Sequence, residues 1–222
     1  MAGVIILPIL FSTDMTRAIL EERKNTTRRI VKPQPLLGTD EEPPCQIRLC
    51  TEERYKGEWH LYRDNPMLNQ AFNIPWGMRY DPPCCPGDIL YVRETWAQVN
   101  ESIGMGLKTK KIIYRANYSD IEAEGWKWHP SIHMPREAAR IFMRVKNVEV
   151  QRLQEMVLAD VLLEGIEEAD DYYETWDRWH STWDSTIKPT DRDRYGWKAN
   201  PWVWVIRFER CEKPEGWIDA AS

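Results

Sequence analysis

Three side chains that together can activate a hydroxyl group lie close to one another in the sequence: Lys24, Thr27 and Arg29. The segment T-T-R-R-I-V at 26–31 predicts a strand, in which residues two apart point to the same face, so Thr27 and Arg29 share a face. Lys24, one loop earlier, can reach over that face. A hydroxyl becomes a nucleophile beside a desolvated lysine, and an arginine suits a phosphate or a carbonyl oxygen. The alternative is that these residues have only a structural role: the basic side chains favour the end of a helix, and threonine is a good strand former.

Glu164 is the first carboxylate that could complete such a site. It precedes Gly165 at the end of a predicted helix over 154–165, where a negative charge is unfavourable with respect to the helix dipole. The residue is therefore a candidate for a role other than helix stability. The alternative is a solvated surface glutamate.

Glu94 is the second carboxylate that could serve the site. In the strand I-L-Y-V-R-E-T-W at 89–96, period two places Glu94 on the same face as Leu90 and Val92. A carboxylate on an inward face is either paired with an arginine in the core or placed at a cavity. Its neighbours Tyr91 and Arg93 could shape that cavity.

A loop rich in aromatic and imidazole side chains follows at 126–135, with Trp126, Trp128, His129 and His133. Aromatic loop residues can stack nucleobases, and the alternative is a loop anchored to the fold by its tryptophans. His129 and His133 flank Pro130 with no third ligand evident. The five cysteines do not match the short knuckles of zinc sites either, so we expect no metal and no cofactor.

Charge is segregated along this chain, whose net charge is 30 − 35 = −5. Residues 17–32 carry six basic groups against two acids, whereas 164–177 holds seven acids and no base. Overall acidity argues against broad binding of long duplex nucleic acid but leaves room for a local basic site. Within the basic stretch, Arg23 and Arg28 are expected to face solvent.

The elements that must position these residues predict an α+β fold, a mixed β-barrel with short peripheral helices. Nine of the fifteen prolines fall in 33–87, which predicts an irregular insertion with short hairpins around I-R-L-C and E-W-H-L-Y-R. A first helix should follow an Asp14 N-cap and end near Arg23 or Lys24. Strands are predicted at 3–12, 26–31, 89–96, 111–118, 140–150 with a bulge near Asn147, and 201–209; helical segments are predicted at 136–140, 154–165 and 167–187, the last with Trp176, Trp179 and Trp183 packed inward.

The apolar start of the chain is read as a first strand and not as a signal peptide, and no stretch is long and apolar enough for a transmembrane helix. An odd number of cysteines without a secretory signal favours a reducing cytoplasm. We therefore expect a cytoplasmic protein without a membrane partner.

Several segments together resemble the ASCH-domain proteins of the PUA-like superfamily, in a version common in bacteriophages and prophages. They are ILFSTDMTRAILEERKNTTRRIVKPQP, PGDILYVRETWA, WKWHPSIHMPREAARIFMRV, LLEGI, WDSTI and NPWVWVIRFER. The resemblance implies one PUA-like domain over 1–222, with the insertion at about 36–85 and an acidic helical segment at about 167–187. It also implies a ligand cleft lined by a G-x-K-x-x-T-x-R motif, which falls here on Glu22, Lys24, Thr27 and Arg29, with Glu22 in place of the glycine.

The resemblance further implies a function. Some small ASCH proteins are amidohydrolases that deacetylate N4-acetylcytidine with a lysine, a threonine and a glutamate, which match Lys24, Thr27 and Glu164. Others are thought to bind RNA or to act as nucleases. We expect recognition of RNA or a modified nucleoside in the cytoplasm of a bacterial host, with amide hydrolysis by these three residues as one form of it.

Two other functions stay open. In the first, a non-catalytic module binds RNA through a larger set of residues: Arg28, Arg29, Arg93, Glu94, Trp128 and His133. In the second, the protein is a phage accessory or assembly protein that meets a protein partner through the insertion or the acidic helical segment.

Overall fold

The computed structural model describes residues 4–34, 45–49, 58–63, 79–102 and 108–217, which form an α+β fold. The strands are β1 (Ile6–Leu10), β2 (Thr26–Ile30), β3 (Cys45–Leu49), β4 (Trp59–Arg63), β5 (Arg79–Tyr80), β6 (Ile89–Arg93), β7 (Trp96–Ser102), β8 (Lys108–Tyr114), β9 (Phe142–Arg152) and β10 (Trp202–Cys211). The α-helices are α1 (Thr13–Leu20), α2 (Leu158–Leu163), α3 (Tyr172–Ser185) and α4 (Arg192–Tyr195). Short 3-10 turns lie at Arg115–Asn117, Ser131–His133, Arg136–Ala138, Leu153–Glu155, Pro189–Asp191 and Trp197–Ala199.

The principal sheet has five strands in the order β1-β6-β9-β10-β2. β1 and β6 pair in parallel, and the other neighbouring strands are antiparallel. Two smaller antiparallel sheets accompany it, one of β3, β4 and β5 and one of β7 and β8. The order places β2, which carries the basic motif, at an edge of the principal sheet.

Both faces of the sheet are buried along most of β10, which explains why the sequence of this strand is apolar almost throughout. Trp204, Ile206 and Phe208 point into a first core that includes Ile19 of α1. The alternate residues of β10, including Val205, point into a second core beneath α2 and α3. Alternation across a doubly covered strand explains the continuous apolar run P-W-V-W-V-I.

The predicted strands and the bulge are largely confirmed. The register of β9 and β10 shifts beside Asn147, where the bulge was expected. The strand predicted at 89–96 is wrong in one respect, because β6 ends at Arg93 and a new strand begins at Trp96. The strand predicted at 111–118 is wrong at its end, because β8 ends at Tyr114 and a 3-10 turn follows. The paired strands β3 and β4 lie where the short hairpins were expected, although most of the insertion at 36–85 lies outside the described residues.

The helix predictions need three corrections. Ser12, not Asp14, is the N-cap of α1, since its side chain accepts a hydrogen bond from the Met15 amide. The helix ends at Leu20 and does not extend to Arg23 or Lys24. The helices predicted at 154–165 and 167–187 are shorter, at Leu158–Leu163 and Tyr172–Ser185.

In the part of the chain that the structure describes, no helix has the length and apolarity needed to span a lipid bilayer.

Candidate functional site

The turn that follows α1 aims the start of β2 at the carboxyl end of α2. Glu22 adopts a left-handed conformation with φ of 62°, at the position where the resemblance places a glycine. The amides of Arg23 and Lys24 both donate to the carbonyl of Ala18, at 2.9 and 3.0 Å. The backbone therefore makes this turn at Glu22 without a glycine. The left-handed conformation costs about 1 kcal/mol that a glycine would avoid.

Gly165 allows the end of α2 to approach this turn. Its φ is +89°, and a Cβ atom there would lie 2.7 Å from the Cβ of Ala18 and 2.9 Å from the Cβ of Lys24. The amide of Asn25 donates to the carbonyl of Leu163 at 3.1 Å. The sequence predicted Gly165 as a helix-ending residue, and the structure adds that a side chain at this position would separate the two segments.

Lys24 and Glu164, 140 residues apart in sequence, form a buried ion pair with 2.6 Å between Nζ and Oε2. Nζ also donates to the backbone carbonyls of Thr26 at 2.7 Å and of Glu164 at 2.8 Å. All three ammonium donors are therefore used. Both residues are 3% exposed, so the reading of Glu164 as a solvated surface residue is wrong. Burial lowers the pKa of Lys24, and the Glu164 carboxylate opposes that change.

Arg28 holds the other oxygen of the same carboxylate. Its Nη1 donates to Oε1 of Glu164 at 3.1 Å, and its Nη2 lies 3.5 Å from Oδ2 of Asp160. The side-chain oxygen of Gln151, with the amide turned to suit its neighbours, accepts from Nη2 at 2.9 Å and from Nε at 3.2 Å. The expectation that Arg28 faces solvent is wrong, because α2 covers this face of β2 and leaves Arg28 4% exposed.

Thr27 and Arg29 point to the opposite face of β2, as period two predicts. Thr27 pairs with Ile206 and Arg29 with Trp204, and both partners belong to the first core. Thr27 is 3% exposed. Among the described residues, its hydroxyl makes no side-chain hydrogen bond.

Phe11 lies beneath the cations of the motif. The guanidinium of Arg29 is 5.3 Å from the centre of the Phe11 ring, and Nζ of Lys24 is 5.5 Å from it. Arg29 is half-buried and donates from Nη2 to the carbonyl of Leu10 at 3.0 Å. Burial lowers the pKa of Arg29. Nothing in the sequence marks Phe11 as part of the site, since a phenylalanine after an apolar strand is ordinary.

Glu94 is buried, and its carboxylate pairs with Arg140 and not with Lys24. Nε and Nη2 of Arg140 donate to the two carboxylate oxygens at 2.8 and 2.9 Å. The same guanidinium stacks 4.0 Å from the centre of the Tyr114 ring. Burial raises the pKa of Glu94, and Arg140 opposes that change. This is the core-paired alternative, and no pattern in the sequence identifies Arg140 as the partner.

Arg93 fixes the loop that carries His133. Its Nε donates to the carbonyl of Met134 at 2.9 Å, and its Nη2 donates to that of Ile132 at 2.5 Å. His133 itself is exposed. The binding role predicted for Arg93 would therefore be exerted through the loop that it holds.

The tryptophans of the loop are anchored by their own contacts. Nε1 of Trp128 donates to the carbonyl of Ala123 at 3.0 Å, and the guanidinium of Arg115 lies 5.8 Å from its ring centre. Trp126 packs against Trp128 and is 37% exposed. The anchored-loop alternative therefore describes Trp128, while the Trp126 ring stays accessible.

The end of β1 links the two groups of predicted residues. The carbonyl of Leu10 accepts from Arg29, and the amide of Phe11 donates to the carbonyl of Arg93 at 3.2 Å. The structure thus unites Lys24, Arg28 and Glu164 in one network, with Thr27 and Arg29 on the same strand. Arg93 is joined to this strand end through the backbone, since it pairs with Leu10 of β1.

Within the described ranges, no group of three or more histidine, cysteine, aspartate or glutamate side chains could hold a metal ion. A cleft of about 510 Å³ lies between α1 and α3, and Arg23 and Gly165 line it next to the Lys24–Glu164 pair. Its three arginines are already engaged: Arg17 donates to carbonyls at 116 and 118, Arg23 to Glu21, and Arg178 to Glu174.

Comparisons with protein-family models, with curated proteins and with solved structures found no match to this chain.

Proposed function

We propose that this protein recognises a modified nucleoside or single-stranded RNA in a PUA-like cleft whose floor is Lys24, Thr27, Arg29 and Glu164. The observation that carries the proposal is the buried Lys24–Glu164 pair, 2.6 Å apart and built from two distant segments. Burying two charges costs free energy that a pair of apolar residues would not cost, so such a pair is weak evidence for stability alone. Strongly perturbed ionisable groups concentrate at functional sites. A PUA-like barrel and a location in the cytoplasm of a bacterial host belong to the same proposal.

Arg29 supplies the recognition chemistry in this proposal. A guanidinium carries five N–H donors, and one of them is used by Leu10 in the described part of the chain. Its planar group rests on Phe11 and suits a phosphate, or a nucleobase carbonyl in the plane of the fork. The exposed ring of Trp126 offers a second surface on which a base can stack.

Amide hydrolysis is the reaction that the same residues would perform, and its protons can be balanced. Lys24 first passes a proton to Glu164 across their hydrogen bond and becomes a neutral amine. That amine takes the proton of the Thr27 hydroxyl as its oxygen attacks the amide carbon. Arg29 and backbone N–H groups stabilise the oxyanion.

The second half of the reaction restores the enzyme. Lys24 returns its proton to the leaving amine, and the acyl group stays on Thr27 as an ester. Water then attacks the ester and gives a proton to Lys24, and Lys24 passes that proton to the Thr27 oxygen as the acid is released. The proton that Glu164 holds returns to Lys24 at the end of the cycle, so no external acid or base is consumed.

Binding without turnover is the second candidate, and two observations favour it. Thr27 is 3% exposed, and all three donors of Lys24 are engaged. A base must lie about 3 Å from the proton that it removes, so catalysis needs Nζ to leave one of its carbonyl partners.

Salt-dependent RNA binding tests recognition. Fluorescence anisotropy of a labelled ten-nucleotide RNA containing one N4-acetylcytidine, measured at 50 and 200 mM salt, should show weaker binding at the higher salt. Arg29→Ala should weaken binding by about tenfold and lower the salt slope by about 1. The matched control is Lys146→Ala, which removes an exposed lysine paired with Glu209 and should change little. Equal effects of the two substitutions, or no binding at low salt, would contradict the proposal.

A further inference from the structure

Helix α3 carries aromatic side chains on two of its faces. Trp179 and Trp183 are 3% and 5% exposed and belong to the second core. Tyr172, Trp176 and His180 follow at intervals of four residues, so they form a row on another face of the helix. The first set accounts for the packing of α3 on the sheet, and Trp176 is partly buried against the same core. The exposed rings of Tyr172 and its neighbour Tyr173 need a further explanation.

The second set belongs to a continuous run of rings that we call the aromatic ladder: Tyr173, Tyr172, Trp176, His180 and Trp197. Successive ring centres lie 5.5, 6.3, 5.9 and 4.1 Å apart, the last distance being between stacked rings. The ladder runs from partly buried rings at Trp197 to open ones, where Tyr172 is 55% and Tyr173 75% exposed. Large rings left in water at one end of an ordered run mark a contact surface.

The open end of the ladder is strongly acidic. Residues 167–177 contain six acidic residues and no basic one, and all six are exposed. Arg178 neutralises Glu174, and Arg23 lies 3.5 Å from Glu167. Glu168 and Asp170, four and two residues before Tyr172, make no ion pair among the described residues.

The other end of the ladder carries mixed charge with a small basic excess. Arg192, Arg194 and Lys198 are close to Trp197 in sequence and are exposed, as are Asp191 and Asp193. The negative potential is therefore concentrated at Tyr172 and Tyr173, and a cationic group is directed to that end.

We propose that the open end of the aromatic ladder docks an arginine- or lysine-rich segment of a protein partner. A guanidinium stacks on the face of Tyr172 or Tyr173, while Glu168 and Asp170 supply the countercharge. Nucleic acid does not suit this end, since its phosphates would meet uncompensated carboxylates. The surface lies on α3 and uses none of the residues of the nucleoside site, so each proposal can fail without the other.

The test uses the full chain and a fluorescein-labelled ten-residue peptide of alternating arginine and serine, followed by anisotropy at 150 mM salt. Cation–π contacts at exposed sites correspond to about two- to fivefold in affinity each. The Tyr172→Ala, Tyr173→Ala double variant should therefore bind at least about fivefold more weakly. Both side chains are exposed, so its urea midpoint should match that of the unmodified chain.

Charge is tested by a matched pair of variants. Glu168→Gln with Asp170→Asn should weaken binding by about fivefold or more. Glu212→Gln with Glu215→Gln removes the same charge from exposed positions away from α3 and should change binding by less than twofold. Trp126→Ala, which removes an exposed ring elsewhere, should leave the affinity unchanged.

Four results would overturn the proposal. The first is no peptide binding, and the second is unchanged binding after truncation of the two tyrosines. The third is an equal loss in the Glu212 and Glu215 control, which would show undirected attraction. In the fourth, the peptide does not bind, but tetramethylammonium, spermine or a second copy of the chain binds in a way that depends on Tyr172.

Discussion

One carboxylate organises the candidate site at the residue scale, because Glu164 divides its two oxygens between Lys24 and Arg28. Removing its charge leaves the Lys24 ammonium buried without a counterion. We expect Glu164→Gln to lower the free energy of unfolding by about 3–5 kcal/mol, measured by urea denaturation. The matched control is Glu209→Gln, which breaks an exposed pair with Lys146 and should cost less than about 1 kcal/mol.

A double-mutant cycle measures the interaction between Lys24 and Glu164 separately from the cost of changing each side chain. Lys24→Met combined with Glu164→Gln should cost clearly less than the sum of the single changes, since neither charge is then left alone. Additive costs would show that Lys24 and Glu164 do not depend on each other, contrary to the geometry.

Cys84 gives a pH prediction next to the site. Burial raises the pKa of its thiol from 9.0 to about 12. The folded chain therefore keeps this proton where the unfolded chain releases it, so the stabilising contribution is complete below pH 9 and is lost as the pH rises to about 12. Relative to Cys84→Ala, the unmodified chain should lose about 1.4 kcal/mol of unfolding free energy per pH unit over that window. Parallel profiles from urea denaturation at pH 8 to 11 would contradict this.

Sequence periodicity was sufficient to predict the face of β2 that Thr27 and Arg29 share, but not the burial of Arg28. Alternation in a strand fixes which residues share a face, whatever covers that face. Arg28 lies on the opposite face of an edge strand, where the sequence favours solvent. The covering helix, α2, is 130 residues further along the chain, and no local pattern reveals it.

At the scale of elements, the contact between α2 and the start of β2 depends on Gly165. We expect Gly165→Ala to lower the unfolding free energy by more than about 3 kcal/mol, because the new Cβ would lie within 3 Å of Ala18 and Lys24 in addition to the strain of a positive φ. Gly125→Ala is a close control, with φ of +86° and nothing within 4 Å. It should cost only the conformational term of about 1–2 kcal/mol. Equal costs in urea denaturation would show that the close approach is not needed.

The turn after α1 gives a prediction of the opposite sign. Glu22→Gly should raise the unfolding free energy by about 0.5–1 kcal/mol, since glycine adopts the φ of 62° without strain. Glu21→Gly, one residue earlier at φ of −86°, should instead lower it by a few tenths of a kcal/mol or more. If Glu22→Gly destabilised the chain in urea denaturation, its side chain would have a role that the backbone does not show.

The sequence predicted which segments are strands or helices more accurately than it predicted where they end. The strand predicted at 89–96 alternates without interruption, yet β6 ends at Arg93 and β7 begins at Trp96. The Glu94 carboxylate between them is paired with Arg140, which is 46 residues away in sequence. Period and propensity do not contain that information.

At the scale of the whole molecule, two kinds of chemistry lie on different elements. The paired cations and carboxylates of the candidate site lie at the edge strand β2. The exposed acidic and aromatic residues lie on α3, beyond the second core. The segregation of charge along the sequence, six bases at 17–32 and seven acids at 164–177, anticipates this division. Charge segregation alone does not show that Glu164 pairs with Lys24; that prediction came from its position at a helix end and from the resemblance.

The acetyl-methyl signal of N4-acetylcytidine, followed by proton NMR in the presence of the full chain, tests the central claim most directly. Binding broadens or shifts that signal, and hydrolysis replaces it with free acetate. Thr27→Val should abolish hydrolysis and weaken binding, whereas Thr26→Val, one residue earlier on the opposite face, should leave both as in the unmodified chain. An unchanged signal with the unmodified chain, or equal effects of the two valine substitutions, would contradict the account.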